Sequence, residues 1–287
     1  PALSVSLPSP WVAGSSRRRG AFLTTASDAA PETHRVSAEG GDQAAIELTG
    51  IVVRFSITTE RIVSFKEYVL KRIAGRLEHR ELWALRSLDL EVRPGEFVGV
   101  VGRNGAGKST LLKVISRVLT PTGGRVVVRG QIAPLLELGA GFHFDLTGRE
   151  NVFLNAALFG YSARVVQRHL AEVVAFSELE EFIDLPIRNY SSGMLARLGF
   201  AVATMFRPDI LLIDELLAVG DTGFQEKCLG RIHDFQQQGT AILLVSHQME
   251  SIADHCTRAI WIERGGLEAE GPTDEVLRRY SEGFAES

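Results

Sequence analysis

The sequence predicts an α/β fold with a largely parallel sheet, on the evidence of two alternating patterns. Short apolar runs typical of buried strands recur along the chain, at 46–55, 97–102, 125–130, 209–214, 241–246 and 259–266. Helical patterns alternate with several of these runs, at 108–119, 149–159, 162–176 and 195–206. Buried strands that alternate with helices are typical of a parallel sheet covered on both faces. The first run, IELTGIVVRF, is interpreted as a pair of strands.

Composition limits the class of protein. The 287 residues are 45% hydrophobic and 23% charged, with a net charge of -4, as in an ordinary globular chain of one large or two modest domains. So small a net charge does not indicate a broadly basic nucleic-acid-binding protein. The two cysteines are far apart in sequence, which predicts neither a disulfide framework nor a zinc site. No apolar run approaches the roughly 20 residues that span a bilayer.

Two segments stand apart from this pattern. Residues 1–44 are rich in Ser, Ala, Pro and Gly without sustained periodicity, which predicts a disordered N-terminal extension ahead of a folded domain over 45–287. The three arginines at 17–19 leave a signal or transit peptide as an alternative, although the apolar region of a signal is missing.

The second segment, 56–80, has apolar residues at helical spacing and a basic opposite face, which predicts an inserted amphipathic helix. A surface helix over the domain's own core and a helix near anionic lipid headgroups both remain open.

A glycine-rich segment follows the predicted strand 97–101 and precedes a predicted helix. It fits the pattern GxxxxGK[ST] and consists of Gly102, Arg103, Asn104, Gly105, Ala106, Gly107, Lys108, Ser109 and Thr110. The glycines let the backbone turn tightly around an anion, and backbone N–H groups at a helix N-terminus stabilise phosphates. Lys108 supplies a positive charge to those phosphates, and the Ser109 hydroxyl can ligate Mg²⁺. The strand–loop–helix context therefore predicts a nucleotide phosphate site.

A pair of acidic residues ends the strand predicted at 209–214. Asp214 is positioned to hold Mg²⁺ through water, and Glu215 to orient or deprotonate an attacking water in phosphoryl transfer. An acidic pair that merely caps the strand is the alternative. The phosphate loop upstream favours the catalytic interpretation.

The order of four motifs resembles that of the ATP-binding-cassette (ABC) ATPases. They are the phosphate loop, the segment RNYSSGMLARLGFAVA, the strand ending in Asp-Glu, and the strand-terminal histidine of LLVSHQM. The resemblance covers about residues 46–285. It implies a P-loop nucleotide-binding domain with a mixed β-sheet core and a helical subdomain at about 141–206. It also implies ATP and Mg²⁺ as ligands.

The resemblance assigns roles to further residues. Tyr190, Ser191, Ser192, Gly193 and Met194 match the signature that, in this family, closes over the γ-phosphate bound to the partner subunit. His247 matches the histidine that contacts the γ-phosphate and supports Glu215. Asp221 ends the loop that crosses the dimer interface. Phe55 stands where an aromatic ring commonly stacks on adenine, with an ordinary core phenylalanine as the alternative.

Some residues depart from the general family pattern. Ser192 replaces a glycine, Met194 replaces a glutamine, and Glu137 is the nearest candidate for the glutamine that normally faces Mg²⁺ and water. An acidic group there would contact Mg²⁺ differently.

These departures, with LELGAGF, TGREN and the basic insertion before WAL, resemble one branch of the family, the ATPase subunits of polysaccharide exporters. That resemblance implies a homodimer of ATPase subunits on the cytoplasmic face of the inner membrane, working with two copies of a separate transmembrane permease. The exported substrate would be a lipid-linked glycan such as O-antigen, capsule, cell-wall glycan or teichoic acid.

Two other functions remain open at this point. An ABC exporter ATPase for a drug or another lipid shares every catalytic motif and differs only in the branch-specific stretches. A soluble ABC-type nucleic-acid protein is the second, but such proteins usually carry a long coiled coil or a second cassette, and neither pattern is present in this sequence.

Overall fold

A computed structural model gives the structure of the chain over residues 11–12, 43–58, 79–135, 138–214 and 221–285. The strands in these ranges are β1 (Trp11–Val12), β2 (Ile46–Thr58), β3 (His79–Val92), β4 (Phe97–Val101), β5 (Gly123–Val128), β6 (Ile132–Leu135), β7 (Ile210–Asp214), β8 (Ala241–Val245), β9 (Arg258–Glu263) and β10 (Gly266–Pro272). The helices are α1 (Lys108–Ile115), α2 (Gly148–Leu158), α3 (Ala163–Ser177), α4 (Ser192–Ala203), α5 (Thr222–Gln237), α6 (Met249–His255) and α7 (Thr273–Ala285), with a 3₁₀ turn at Ile187–Asn189.

The larger sheet has the strand order β10-β9-β4-β8-β7-β6. Its strands pair in parallel, except for β10, which runs antiparallel to β9. All residues of β4 and β8 are buried, as expected for central strands covered on both faces. The predicted α/β fold with a largely parallel sheet is confirmed.

Alternate residues of these strands enter two separate cores. Phe97 and Val101 belong to one cluster, which also contains Val152 of α2 and Leu198 of α4. Val98 and Val100, together with Leu243 of β8, belong to a second cluster that includes α1 and the smaller sheet. Because strand side chains alternate between faces, one continuous apolar run supplies both cores.

The smaller sheet has the order β1-β5-β2-β3 and is antiparallel between β5, β2 and β3. The interpretation of 46–55 as a pair of strands is wrong, because Ile46–Thr58 is one strand. Gly50, with φ 57°, accommodates an irregularity in the strand, and its N–H donates to Asp89 Oδ1 at 2.6 Å. The pairing with β3 shifts register between Leu48 and Ile51, which is a bulge and not a turn.

Helix α1 ends at Ile115, earlier than the Leu119 predicted. Arg117 takes a left-handed conformation, with φ 63°, and its N–H donates to the Val114 carbonyl at 3.1 Å. The Leu119 N–H donates to the Lys113 carbonyl at 2.9 Å. These bonds satisfy carbonyls at the helix terminus and turn the chain towards Pro121.

Two predicted segments lie largely outside the described residues. Of the predicted inserted helix at 56–80, residues 56–58 and 79–80 belong to strands, and 59–78 are outside the described residues, so the helix stays a prediction. Of the predicted extension 1–44, the structure describes 11–12, which pair with β5, and 43–44. Within the described ranges, no helix is both long enough and apolar enough to cross a membrane.

Leu243 provides a test of the central strand. Its side chain is fully buried in the second cluster, so Leu243→Ala should lower the free energy of unfolding by about 2–5 kcal/mol. Leu158→Ala is the matched control, because Leu158 is 68% exposed and its loss should change stability by no more than about 0.5 kcal/mol. Urea denaturation followed by circular dichroism measures both. Equal effects of the two substitutions would contradict the position of β8 at the centre of the sheet.

Candidate nucleotide-binding site

Three of the predicted parts of the site, the phosphate loop, Asp214 and His247, lie at one edge of the larger sheet. The pairing registers place Val100 of β4 beside Val245 of β8, and Val245 beside Asp214 of β7. The segments that follow β4 and β8 therefore leave the sheet at the same level as Asp214. The carboxyl ends of neighbouring parallel strands are where open α/β sheets bind ligands.

The loop between β4 and α1 turns within a closely packed space. Gly102 and Gly107 have φ values of 153° and 116°, where side chains are rarely accommodated. A Cβ on Gly102 would lie 2.2 Å from the Ile262 carbonyl oxygen, and one on Gly107 would lie 2.6 Å from the Ala84 oxygen. Among the described residues, nothing beyond its chain neighbours lies within 4 Å of a Cβ on Gly105. Neighbouring backbone therefore fixes both ends of the loop, while its middle faces open space.

Lys108 reaches back into this loop. It is the first residue of α1, it is 7% exposed, and its Nζ donates to the Gly102 carbonyl at 2.6 Å and to the Arg103 carbonyl at 3.2 Å. The first N–H groups of α1 have no acceptor within the helix, and they lie at the positive end of its dipole. A buried ammonium beside these groups forms an anion site suited to a phosphate chain.

Ser109 and Asp214 bring oxygen ligands together at the edge of this loop. The Ser109 hydroxyl donates to Asp214 Oδ2 at 3.4 Å, although the two residues come from α1 and β7. A hydroxyl and a carboxylate next to a phosphate site match the ligand preferences of Mg²⁺. The residues present therefore fit the predicted metal. Glu137, the third predicted metal residue, lies outside the described residues, as does Glu215, the predicted base.

His247 follows β8 at the same edge of the sheet, and its side chain is exposed. The preceding residue, Ser246, is buried, and its Oγ accepts a hydrogen bond from the Gln248 N–H at 3.0 Å. This bond across His247 fixes the backbone that carries the imidazole. The structure thus places His247 after β8. This strand lies between β4, which leads into the phosphate loop, and β7, which ends at Asp214.

A hairpin turn that the sequence did not predict as part of the site holds the phosphate loop from outside. Gly265, between β9 and β10, donates its N–H to the Ala106 carbonyl at 2.8 Å and accepts from the Arg86 N–H at 2.7 Å. Its φ is 83°, and a Cβ there would lie 2.8 Å from the Ala84 oxygen. The loop and β3 are thereby joined through one glycine. The glycine pair in ERGG is a turn signal, but the partners of this turn are distant in sequence.

The predicted signature residues lie at the N-terminus of α4. Ser191 is the N-cap of α4, and its side chain accepts from the Met194 N–H at 3.2 Å. Apart from the helix's own backbone and the chain neighbours, the only atom of the described residues within 4 Å of a Cβ on Gly193 is Ser191 Oγ, at 3.8 Å, so the described part of the chain leaves this end of the helix open.

Tyr190 anchors the turn that precedes α4. Its hydroxyl donates to the Phe182 carbonyl at 2.7 Å, and burial raises the pKa of Tyr190 to about 12. The phenol is therefore a neutral hydrogen-bond donor at physiological pH. Sequence reasoning identified Tyr190 only as part of a motif, because its acceptor is a backbone carbonyl.

Asp221 begins helix α5. Its carboxylate accepts from the Phe224 N–H at 3.0 Å and forms an ion pair with Arg197 of α4. The hydrogen bond from Phe224, followed by the positive charge of Arg197, lowers the pKa of Asp221. The residue is therefore ionised at neutral pH, on the element that follows β7 in the chain.

Phe55 is not an ordinary core residue. It lies on β2 opposite Leu82 of β3 and is 39% exposed, so the alternative of a buried phenylalanine is wrong. Its role in stacking on adenine stays a prediction. Trp83, on the neighbouring strand, is also exposed, and the Arg54 guanidinium lies 5.7 Å from its ring centroid. Two exposed aromatic rings therefore lie close to the β3 residues that contact the phosphate loop.

Several known proteins are similar to this chain in sequence. Residues 85–218 match the ABC transporter family. The O-antigen export system ATP-binding protein RfbB of Klebsiella pneumoniae is 48% identical over 215 residues, which are 75% of this chain and 87% of that protein. The RfbB protein of Myxococcus xanthus is 45% identical over 84% of this chain, which spans 56% of that protein. The teichoic acids export ATP-binding protein TagH of Lactococcus lactis is 43% identical over 70% of this chain, which spans 43% of that protein.

Solved structures are similar over most of the chain. The ATP-binding subunit of an ABC transporter has a TM-score of 0.65 at 22% identity, covering 83% of this chain and 93% of that one. A dimeric ATP-binding cassette in a post-hydrolysis state, bound to ADP and Pi, has a TM-score of 0.63 at 23% identity, covering 79% of this chain and 98% of that one. These likenesses show the fold. Together with the sequence relatives, they establish that the chain belongs to the ABC transporter family, in the branch that contains the O-antigen and teichoic acid export ATP-binding proteins.

Proposed function

We propose that this chain is the ATP-hydrolysing subunit of a transporter that exports a lipid-linked polysaccharide. The observation that carries the ATPase part is the meeting of Lys108, Ser109 and Asp214 at the phosphate loop. The names of the relatives support the glycan part, since they describe export of O-antigen and of teichoic acids. The names of RfbB and TagH describe glycan export and mention neither a drug nor a nucleic acid, so the glycan exporter is favoured over both alternatives.

Each part of the site has a chemical task in this proposal. The loop amides and Lys108 bind the β- and γ-phosphates of ATP, and Ser109 and Asp214 hold Mg²⁺. When bound, Mg²⁺ neutralises the charge that develops on the phosphate oxygens. Glu215 accepts a proton from the attacking water, and His247 contacts the γ-phosphate and supports Glu215. The closely packed glycine loop keeps the phosphate-binding groups in place before ATP arrives.

The proposal includes a homodimer. The open N-terminus of α4, with Ser191, Ser192 and Gly193, binds the γ-phosphate held by the partner subunit. Two ATP molecules then stabilise the closed dimer, and hydrolysis removes the contacts that keep it closed. The dimeric cassette among the solved structures has the same fold, which supports this arrangement.

The proposed partners are two copies of a transmembrane permease on a separate chain, and the proposed location is the cytoplasmic face of the inner membrane. Motion of the dimer would be transmitted to the permease, which carries the lipid-linked glycan. Copurification with the permease, followed by mass spectrometry of the trapped lipid, tests this part. A glycolipid is expected, whereas a drug-like molecule or a simple lipid would contradict the glycan assignment.

Gly265 provides a test of how the phosphate loop is held. Gly265→Ala forces a side chain into a left-handed turn and against the Ala84 carbonyl, so the hairpin should move away from Ala106. Strain of this kind costs about 1–3 kcal/mol, and we expect the affinity for ATP to fall about tenfold. Isothermal titration with ATP measures the change.

Gly160→Ala is the matched control for Gly265→Ala. Gly160 has a similar φ, 86°, but in the part of the chain that the structure describes nothing beyond its chain neighbours lies within 4 Å of its Cβ position. It should show a similar backbone penalty in thermal unfolding with unchanged ATP affinity. An equal loss of ATP affinity in both variants would mean that the hairpin does not hold the loop.

Glu215→Gln tests the assignment of the catalytic base. The glutamine keeps the size of the side chain but cannot accept the proton, so ATP binding should persist while hydrolysis falls about 10²-fold or more. The closed dimer should then accumulate with ATP and Mg²⁺, as measured by gel filtration with light scattering. Undiminished ATP hydrolysis would show that another group is the base.

A further inference from the structure

Arg197 joins two elements of the site that are separate in sequence. It lies on α4, and its two terminal nitrogens contact two different carboxylates, Glu178 through Nη1 and Asp221 through Nη2. Its guanidinium also lies over the Phe224 ring, with Cζ 4.8 Å from the centroid. The side chain is only 18% exposed, so these neighbours determine its position.

The two carboxylates come from the ends of two other helices. Glu178 is the left-handed residue that ends α3, with φ 57°, and Asp221 is the N-cap of α5. Lys227 of α5 also donates to Glu178, at 3.2 Å, and to the Phe176 carbonyl, at 2.9 Å. One guanidinium thus connects α4 to the end of α3 and to the start of α5.

Both carboxylates are ionised at neutral pH. Hydrogen bonding from Lys227, together with Arg197, lowers the pKa of Glu178. The Phe224 N–H, together with the Arg197 charge, lowers the pKa of Asp221. The side chains of Glu178 and Asp221 are 49% and 66% exposed to solvent, so the ion pairs contribute little to stability. The planar fork of an arginine, however, fixes the direction of its partners.

The contacts of Arg197 with Glu178 and Asp221 form a bridge between helices, and the position of Arg197 on α4 relates this bridge to the predicted signature. Gly193 of the signature and Arg197 are four residues apart on one helix, so they lie on the same face. Asp221 follows Asp214 and Glu215 along the chain. The bridge therefore runs from the helix that carries the predicted signature to the start of α5, the next described element after β7.

We propose that Arg197 is a positioning residue that couples the signature end of α4 to Asp221. This inference rests on the proposed ATPase function. In that function, Arg197 makes the signature end of α4 and the start of α5 act together. When the partner's ATP contacts the signature, α4 and the start of α5 move as one unit. Loss of the bridge then slows hydrolysis in the dimer without weakening the binding of ATP to the phosphate loop.

Arg197→Gln tests the bridge, because it removes the charge and one of the two donors. We expect kcat of the full-length protein to fall about tenfold, as for the loss of a charge-assisted hydrogen bond. The affinity for ATP, measured by titration, should stay within about twofold, because Arg197 makes no contact with the loop in the proposal. A kcat within about twofold of wild type would overturn the inference.

Arg231→Gln is the matched control. Arg231 is 19% exposed, donates to Glu172 at 3.1 Å and to the Thr204 carbonyl at 3.2 Å, and lies 3.9 Å from the Phe176 ring centroid. It thus resembles Arg197 in burial and in contacting a carboxylate and an aromatic ring, but its second acceptor is a backbone carbonyl and not Asp221. We expect the two variants to melt at similar temperatures and only Arg197→Gln to lose turnover. Equal losses of turnover would show a merely structural role.

Asp221→Asn completes a double-mutant cycle, since asparagine remains a good N-cap but loses the charge that faces Arg197. The double variant should be no slower than the slower single variant, whereas multiplied losses would contradict direct coupling. If Arg197→Gln does not fold, Arg197→Lys replaces it. Lysine keeps one charge without the fork, and full activity of that variant would overturn the inference.

ATP binding and hydrolysis by the wild-type protein distinguish failure of the proposed function from failure of the coupling role of Arg197. If it neither binds nor hydrolyses ATP, the proposed function fails. If it hydrolyses ATP and the Arg197 variants do so equally well, only the coupling role fails.

Discussion

The structure depends on the register of three neighbouring parallel strands. Because β4, β8 and β7 pair so that Val100, Val245 and Asp214 lie side by side, three distant segments end at one edge of the sheet. Backbone hydrogen bonds between these strands therefore bring together the phosphate loop, the segment of His247 and the Asp214 carboxylate. A shift of one residue in any of these strands would exchange its core faces and separate the ligands.

Close packing of backbone against backbone then gives the loop its shape. Gly102 faces the Ile262 carbonyl, Gly107 faces the Ala84 carbonyl, and Gly265 bonds to both Ala106 and Arg86. At the first two positions there is no room for a side chain, so the glycines are required by neighbours as well as by their φ values. The Lys108 side chain folds back onto the loop, where its Nζ donates to the Gly102 and Arg103 carbonyls. The loop is thus held by the smaller sheet and by the β9–β10 hairpin before any nucleotide binds.

Sequence analysis predicted the parts of this site that are determined locally. The phosphate loop follows a buried strand directly, and Asp214 and His247 end strands whose apolar runs are unmistakable, so position along the chain was sufficient. The contacts of Gly265, Arg197 and Tyr190 could not be predicted from the sequence, because their partners are backbone groups or carboxylates brought near only by the fold. The interpretation of 46–55 as a pair of strands was wrong, since a glycine in a bulge has the same sequence signal as a glycine in a turn. Glu215 and Glu137 remain predictions.

The central claim is that Asp214 of β7 and the phosphate loop after β4 form one metal–nucleotide site. The affinity for Mn²⁺, used in place of Mg²⁺ and measured by electron paramagnetic resonance in saturating ATP, tests it most directly. Asp214→Asn should weaken Mn²⁺ binding about 10–100-fold, as for loss of a group that orients metal-bound water. Asp209→Asn, near the opposite end of β7, where Asp209 accepts from the Gln131 N–H at 2.7 Å, should leave it unchanged. Equal Mn²⁺ affinity in the wild type and in Asp214→Asn would contradict the account.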